Sequence, residues 1–143
     1  MSAGFEFVEG PTGDLSFVAR GATLAEAFTA AAEALLAATV DDPASVAAAS
    51  QRQISLEEPD LELLLLRFLN ELVWLRDATE LLFRVERIEV AAGPPARLAA
   101  RLAGEAIDRA RHALRSDVKA ATAHGLQVVR TPQGWEARAT LDV

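Results

Sequence analysis

The chain has 143 residues, 51% of them hydrophobic, with no cysteine and a formal net charge of −7. That length and apolar content fit one ordinary domain, residues 1–143, with a real core, while the missing thiols exclude a disulfide framework and a thiolate zinc site. The acidic balance disfavours autonomous binding to nucleic acid, which needs a basic footprint, and suits plain solubility, a basic partner surface or a cation held by carboxylates. In chain order, "MSAGFEFVEG" lacks the basic and apolar regions of a secretory signal. "FEFV" (5–8) and "DLSFVAR" (14–20) read as two strands of a hairpin joined by the turn "EGPTG", with Asp14 at the root of the second strand. "TLAE" (23–26) is a capping box, Thr23 with Glu26 three residues on, and opens a helix ending near Thr39 before "DDP". "RQISLEE" (52–58) alternates as a strand. Pro59 and Asp60 open the strongest helix, to about Leu75, with Leu61, Leu64, Leu65, Phe68, Leu69, Leu72 and Leu75 as its core stripe.

Leu63, Leu66, Val73 and Trp74 widen that stripe, which fits burial on two sides or a partner surface. Glu62, Arg67, Asn70 and Glu71 interrupt the run and exclude a membrane span, so a soluble, cytoplasmic protein is the expectation. "LLFRVERIEVAAG" (81–93) is a strand whose parity switches around Glu86–Arg87, as a β-bulge would produce. "ARLAARLAGEAI" pairs with it as a hairpin. A polar turn or short helix "DRARHALR" follows, then the hairpin "VKAATAHGLQVV" (118–129), "TPQG" (131–134) and "WEARATLDV" (135–143). Hairpins broken by two helices predict an α+β fold: two layers, a largely antiparallel β-sheet and two main helices.

Four polar residues fit these patterns poorly. Asp14 stands at a strand entry and Asp142 in a strand one residue from the C-terminal end, although aspartate is depleted in strands. Lys119, the only lysine beside thirteen arginines, shares a strand of Ala, Val and Leu with His124. An ammonium is a compact point charge, not interchangeable with a planar guanidinium where it meets phosphate or carboxylate. Taken singly, a turn residue, an edge-strand charge and a hydrogen-bonded histidine account for them. Taken together, two strand-terminal carboxylates supply hard oxygen ligands suited to calcium, magnesium or manganese. Strict alternation sends Lys119 and His124 to opposite faces, so both join one site only if the strand is bulged or ends between them.

Along nearly its whole length the chain resembles the archease family. The resemblance rests on "PTGD" with Thr12 and Asp14, "GEAIDRARH" with Gly104, Glu105, Asp108 and His112, "VKAATAH" with Lys119, Thr122 and His124, and the terminal "LDV" with Asp142 and Val143. Pro11 stands where the family has its motif histidine, Gly13 replaces an alanine, and Ala123 sits where an aromatic is common. The resemblance implies an archease-like fold and a non-enzymatic protein activator of an RtcB-type RNA ligase in tRNA splicing or RNA repair. Such an activator promotes guanylylation and turnover of the ligase through a divalent cation, calcium first, magnesium or manganese otherwise. It places that cation on Asp14 and Asp142, with Thr12, Lys119, Thr122, His124 and Val143 as neighbours and Glu105, Asp108 and His112 as further motif positions. The partner is then the ligase, with no direct nucleic-acid contact and no membrane. The alternative is a chaperone-like or specificity-modulating subunit of an RNA-modifying enzyme such as a tRNA methyltransferase. A small metal-dependent hydrolase fits least, because no nucleophile–base arrangement is legible.

Overall fold

The computed structural model describes residues 3–9 and 13–143. Among them the elements run β1 (Gly4–Val8), β2 (Asp14–Gly21), α1 (Leu24–Thr39), a 3-10 turn (Pro43–Ser45), β3 (Ser50–Glu58), α2 (Leu61–Thr79), β4 (Leu81–Ala91), β5 (Ala96–Ala106), β6 (Ala120–Thr131) and β7 (Gly134–Asp142). All pairings are antiparallel, in one sheet ordered β1-β2-β7-β6 and another ordered β3-β5-β4. This is the largely antiparallel α+β fold with two helices that the sequence predicts, with its strands divided between two sheets. No helix among the described residues is long and apolar enough to cross a membrane.

The helices join the sheets. α1 packs on β2 and β7 of the first sheet and on β4 of the second, and α2 packs on β6 and on β3, β4 and β5. A helix with neighbours on both sides must be apolar nearly all round, and α1 buries Ala27, Phe28, Ala30, Ala31, Ala32, Ala34, Leu35, Leu36 and Ala38. Its alanines let the sheets approach closely. Phe28 and Phe68, with centroids 6.1 Å apart, tie α1 to α2. The capping box forms as expected: Glu26 N–H donates to Thr23 Oγ1 at 3.2 Å, and the Glu26 carboxylate takes the N–H of Thr23 at 3.2 Å. A side chain at Gly21 would collide with Glu26 Cβ, so the tight entry from β2 into α1 demands glycine there.

Two boundaries, the end of α2 and the start of β6, differ from expectation. α2 continues past Leu75 to Thr79, where Glu80 closes it in the left-handed conformation and its N–H donates to the Arg76 carbonyl at 2.8 Å. Of the turn or short helix expected over residues 108–115 the turn is what forms, the Asp108 carbonyl taking the N–H groups of Arg111 (3.0 Å) and His112 (2.6 Å). β6 begins at Ala120, because Val118 is buried in the core and its carbonyl accepts from Arg76 Nη2 at 2.6 Å. Lys119 therefore lies just outside the strand.

The register of β4 shifts between Val85 and Arg87, where the parity switch places a bulge. β6 carries a larger irregularity, between Thr122 and Gln127. The outer edge of β6 would expose a row of unpaired backbone groups, a liability in any sheet. Here α2 covers it with polar side chains. Asn70 accepts from Ala121 N–H at 2.8 Å and donates to its carbonyl at 3.1 Å, and Glu62 takes the N–H of Val128 at 2.9 Å. Two residues that merely break an apolar run in the sequence thus replace a missing strand, on either side of the β6 irregularity.

Candidate functional site

Asp14 is the first residue of β2 and Asp142 the last of β7, and the two are direct partners in the register. Directly opposed residues of an antiparallel pair put their side chains on one face, with Cβ atoms about 4.5–5.5 Å apart. Leu15, Phe17 and Ala19 face the core with Leu141, Ala139 and Ala137, so both aspartates point to the outer face, where each is half-buried. Among the described residues neither takes part in an ion pair.

The far end of the same ladder is built the opposite way. There Arg20 faces Glu136, with Arg20 Nε 3.3 Å from Glu136 Oε2. Burial pushes the Glu136 carboxyl up, but the hydrogen bond from Arg138 and the charges of Arg138 and Arg20 outweigh it and hold the group below its ordinary value. The hydrogen bond to Glu6 raises Arg20, burial opposes it, and the charges of Glu6 and Glu136 add to the rise. One end of the β2–β7 ladder pairs opposite charges. The other sets two like charges face to face, which is unfavourable.

Next along the outer face lie Ser16 and Thr140, register partners whose hydroxyls are 2.7 Å apart. Thr140 is only 1% exposed although it points away from the core. The cause is the β6 irregularity: more residues separate Thr122 from Gln127 than separate their partners Thr140 and Arg138, and the excess folds over this face. Gly125, at φ 66°, makes the reversal possible. The Thr140 hydroxyl donates to the His124 carbonyl at 2.9 Å, which leaves Ser16 as donor to Thr140. Alternation thus does not govern this strand: His124 lies inside the irregularity, between Thr122 and Gln127, while Lys119 precedes it. The Lys119 N–H donates to the Asp142 carbonyl at 2.8 Å, and its side chain is exposed.

At the same end of the fold, residues 107–119 run across the helix ends: Ile107 N–H donates to the Glu80 carbonyl (2.9 Å) and Arg115 N–H to the Thr39 carbonyl (2.8 Å). Both helices end here, presenting carbonyl dipoles that favour positive charge. Glu105, Asp108 and His112 secure this segment. The buried Glu105 carboxylate takes the Ala47 N–H and pairs with Arg111. Asp108 Oδ1 caps Ala110 N–H at 3.0 Å. His112, 1% exposed, accepts from Asp108 N–H at Nδ1 (2.9 Å), so a neutral ring carries its proton on Nε2, 3.7 Å from Glu105. Gly104 precedes them because a Cβ there would strike the Leu82 carbonyl oxygen. These three motif residues are engaged with one another, with Arg111 and with main-chain N–H groups of Ala47 and their own loop.

Val143 is half-buried and packs against the core. Thr12 and Pro11 lie outside the described residues. The described residues hold no group of three or more histidine, cysteine or acidic side chains in reach of one metal ion. What remains for a cation is the Asp14–Asp142 pair, two carboxylates of the hard oxygen type that suits calcium, magnesium or manganese. Ser16, Thr140 and Asn70 carry no sequence signal, since hydroxyl residues are common in strands and only the register brings residue 16 beside 140.

The model of the Archease protein family matches residues 5–143. The protein archease of Methanosarcina acetivorans is 34% identical over 97% of this chain and 95% of its own length, and that of Thermococcus gammatolerans 36% identical over 92% and 94%. The solution structure of Methanobacterium thermoautotrophicum protein 1598 superposes with a TM-score of 0.83 at 30% identity, over 98% of this chain and 99% of that one. The crystal structure of an archease from Thermotoga maritima, described as a possible chaperone, shares the fold with a TM-score of 0.66 at 16% identity, over 95% and 98%.

Proposed function

Since the chain belongs to the archease family, we propose that it is a non-enzymatic protein activator of an RtcB-type RNA ligase in tRNA processing, acting through a divalent cation held by Asp14 and Asp142. The observation that carries this reading is the like-charge pair at the end of the β2–β7 ladder, which costs stability unless a cation neutralises it. Calcium is the first candidate, magnesium and manganese the others. When bound, the cation supplies a hard positive charge for oxygen ligands. The protein's own residues do the rest: Asp14 and Asp142 hold the charge at the fold's end, the exposed Lys119 offers an ammonium to a partner's phosphate or carboxylate, and His124 stands on the fold-over beside them. A net charge of −7 favours a basic protein surface over RNA as the direct contact.

The test is multiple-turnover ligation by an RtcB-type ligase with and without this protein. Stimulation of turnover and of ligase guanylylation, lost in Asp142→Ala, is expected; a ligase indifferent to the wild-type protein would refute the reading. Trp74 and Leu63, 60% and 42% exposed on α2, favour a second reading, a chaperone-like or specificity-modulating subunit of an RNA-modifying enzyme such as a tRNA methyltransferase. Co-purification with a methyltransferase in place of a ligase would select it.

A further inference from the structure

We propose that Thr122, Thr140 and Ser16 form a hydroxyl clamp on the main chain of His124, and that they are the positioning residues that fix this histidine on the outer face of the β2–β7 ladder, over the Ser16–Thr140 pair that follows the aspartate pair. Thr122 and Thr140 are partners in the β6–β7 register, the last pair before the irregularity. Their hydroxyls hold the two peptide groups of a single residue. His124 N–H donates to Thr122 Oγ1 at 3.4 Å, and the His124 carbonyl accepts from Thr140 Oγ1 at 2.9 Å. Thr122 Oγ1 in turn donates to the Thr140 carbonyl at 3.3 Å, and Ser16 Oγ donates to Thr140 Oγ1, so each hydroxyl proton has one acceptor. The Ser16–Thr140 pair is buried and adjoins the Asp14–Asp142 pair on the same face. A fold-over containing Gly125 at positive φ would otherwise be free to take many conformations. From the other side, Asn70 holds Ala121 by two hydrogen bonds, so the chain enters the clamp at a fixed point. The imidazole itself stays exposed while its backbone is locked, which is the arrangement expected of a presented side chain.

The inference rests on the activator reading for what His124 is presented to, but the clamp can be tested without it. The variants are Thr140→Val, which keeps the shape and removes the donor, Thr140→Ser, which restores the donor, and Ser16→Ala/Thr140→Val, which leaves no orphaned hydroxyl if the single variant folds poorly. Amide hydrogen exchange over residues 123–126, compared with core amides of β2 and β7, is expected to rise at least tenfold in Thr140→Val, to return towards wild type in Thr140→Ser, and to leave the core amides unchanged. In the ligation assay Thr140→Val should lose stimulation as His124→Ala does, with Thr140→Ser active and the calcium-dependent rise in melting temperature, which reports the aspartates, retained by all. Unchanged exchange at 123–126 would overturn the clamp. Full stimulation by Thr140→Val where His124→Ala is inactive would overturn its role in positioning. A ligase indifferent even to the wild type refutes the activator reading alone, and the exchange result still decides the clamp.

Discussion

Asp14 and Asp142 hold the same charge on neighbouring strands, with no basic side chain paired to either among the described residues. Directly opposed like charges are destabilising, on a scale where cross-strand pairs are worth about 0.2–1 kcal/mol. In chelator, Asp142→Asn should therefore melt above the wild type, by about 1–4 °C for a chain of this size. Added calcium should raise the wild type and leave the variant unmoved, because only the wild type gains binding energy in the native state. A variant that melts lower than the wild type in chelator would show that the charges are already compensated. Lys119 poses the complementary question. Every other basic side chain in this sequence except the histidines is arginine, so if Lys119 were only an exposed charge, Lys119→Arg would be silent. If its ammonium enters a compact pocket of the partner, the wider guanidinium will not follow it. The expected outcome is an unchanged melting temperature with ligase stimulation reduced at least tenfold; wild-type stimulation would leave the aspartates alone as the functional centre.

At the scale of elements, β6 is decided by what lies along its two sides. Its inner neighbour β7 supplies a ladder on both sides of the irregularity, and its outer neighbour is a helix that hydrogen-bonds to it through Asn70 and Glu62. Removing the Asn70 amide leaves a half-buried N–H and carbonyl at Ala121 without partners, which costs about 1–3 kcal/mol. Asn70→Ala should lower stability by that amount and speed hydrogen exchange at Ala120–Thr122, with β2 and β4 unaffected; unaltered exchange there would mean that the helix merely lies over the edge. The contrast with β4 shows what a sequence can reveal about bulges. In β4 the hydrophobic parity switches from Phe83 and Val85 to Ile88 and Val90, so the extra residue is visible. In β6 the segment "ATAHGL" has too few large apolar residues to show a phase at all. The fold-over there is dictated by hydroxyl partners on β2 and β7, more than a hundred residues away in one case and in the next strand in the other.

For the molecule as a whole, one hydrophobic cluster runs from Phe17 and Leu141 of the first sheet through Phe28 and Phe68 to Leu56, Leu98 and Phe83 of the second. The sheets share no strand, and the two helices are the continuous link between them. Truncating Phe68, which is fully buried, should cost about 3–5 kcal/mol and lower the whole denaturation curve as one transition. Two separate transitions, one sheet melting before the other, would show that the helices do not couple them.

The sequence by itself determined the elements whose signals are local: both helices with their caps at Thr23 and Asp60, the hairpins, the β4 bulge and the two-helix antiparallel class. Hydrophobic period, turn residues and capping all act within a few residues, so they can be read along a line. It also carried the motifs by which the family is recognised. Glu105, Asp108 and His112 stand apart from Asp14 and Asp142 as further motif positions with no role attached, and in the structure they are engaged by Ala47, Arg111 and their own loop. The tertiary structure alone decided that Asp14 meets Asp142 in register, that Ser16 lies under Thr140, and that Asn70 completes the edge of β6. Register between distant strands follows from the sum of all side chains packed on both faces, and no local pattern records it.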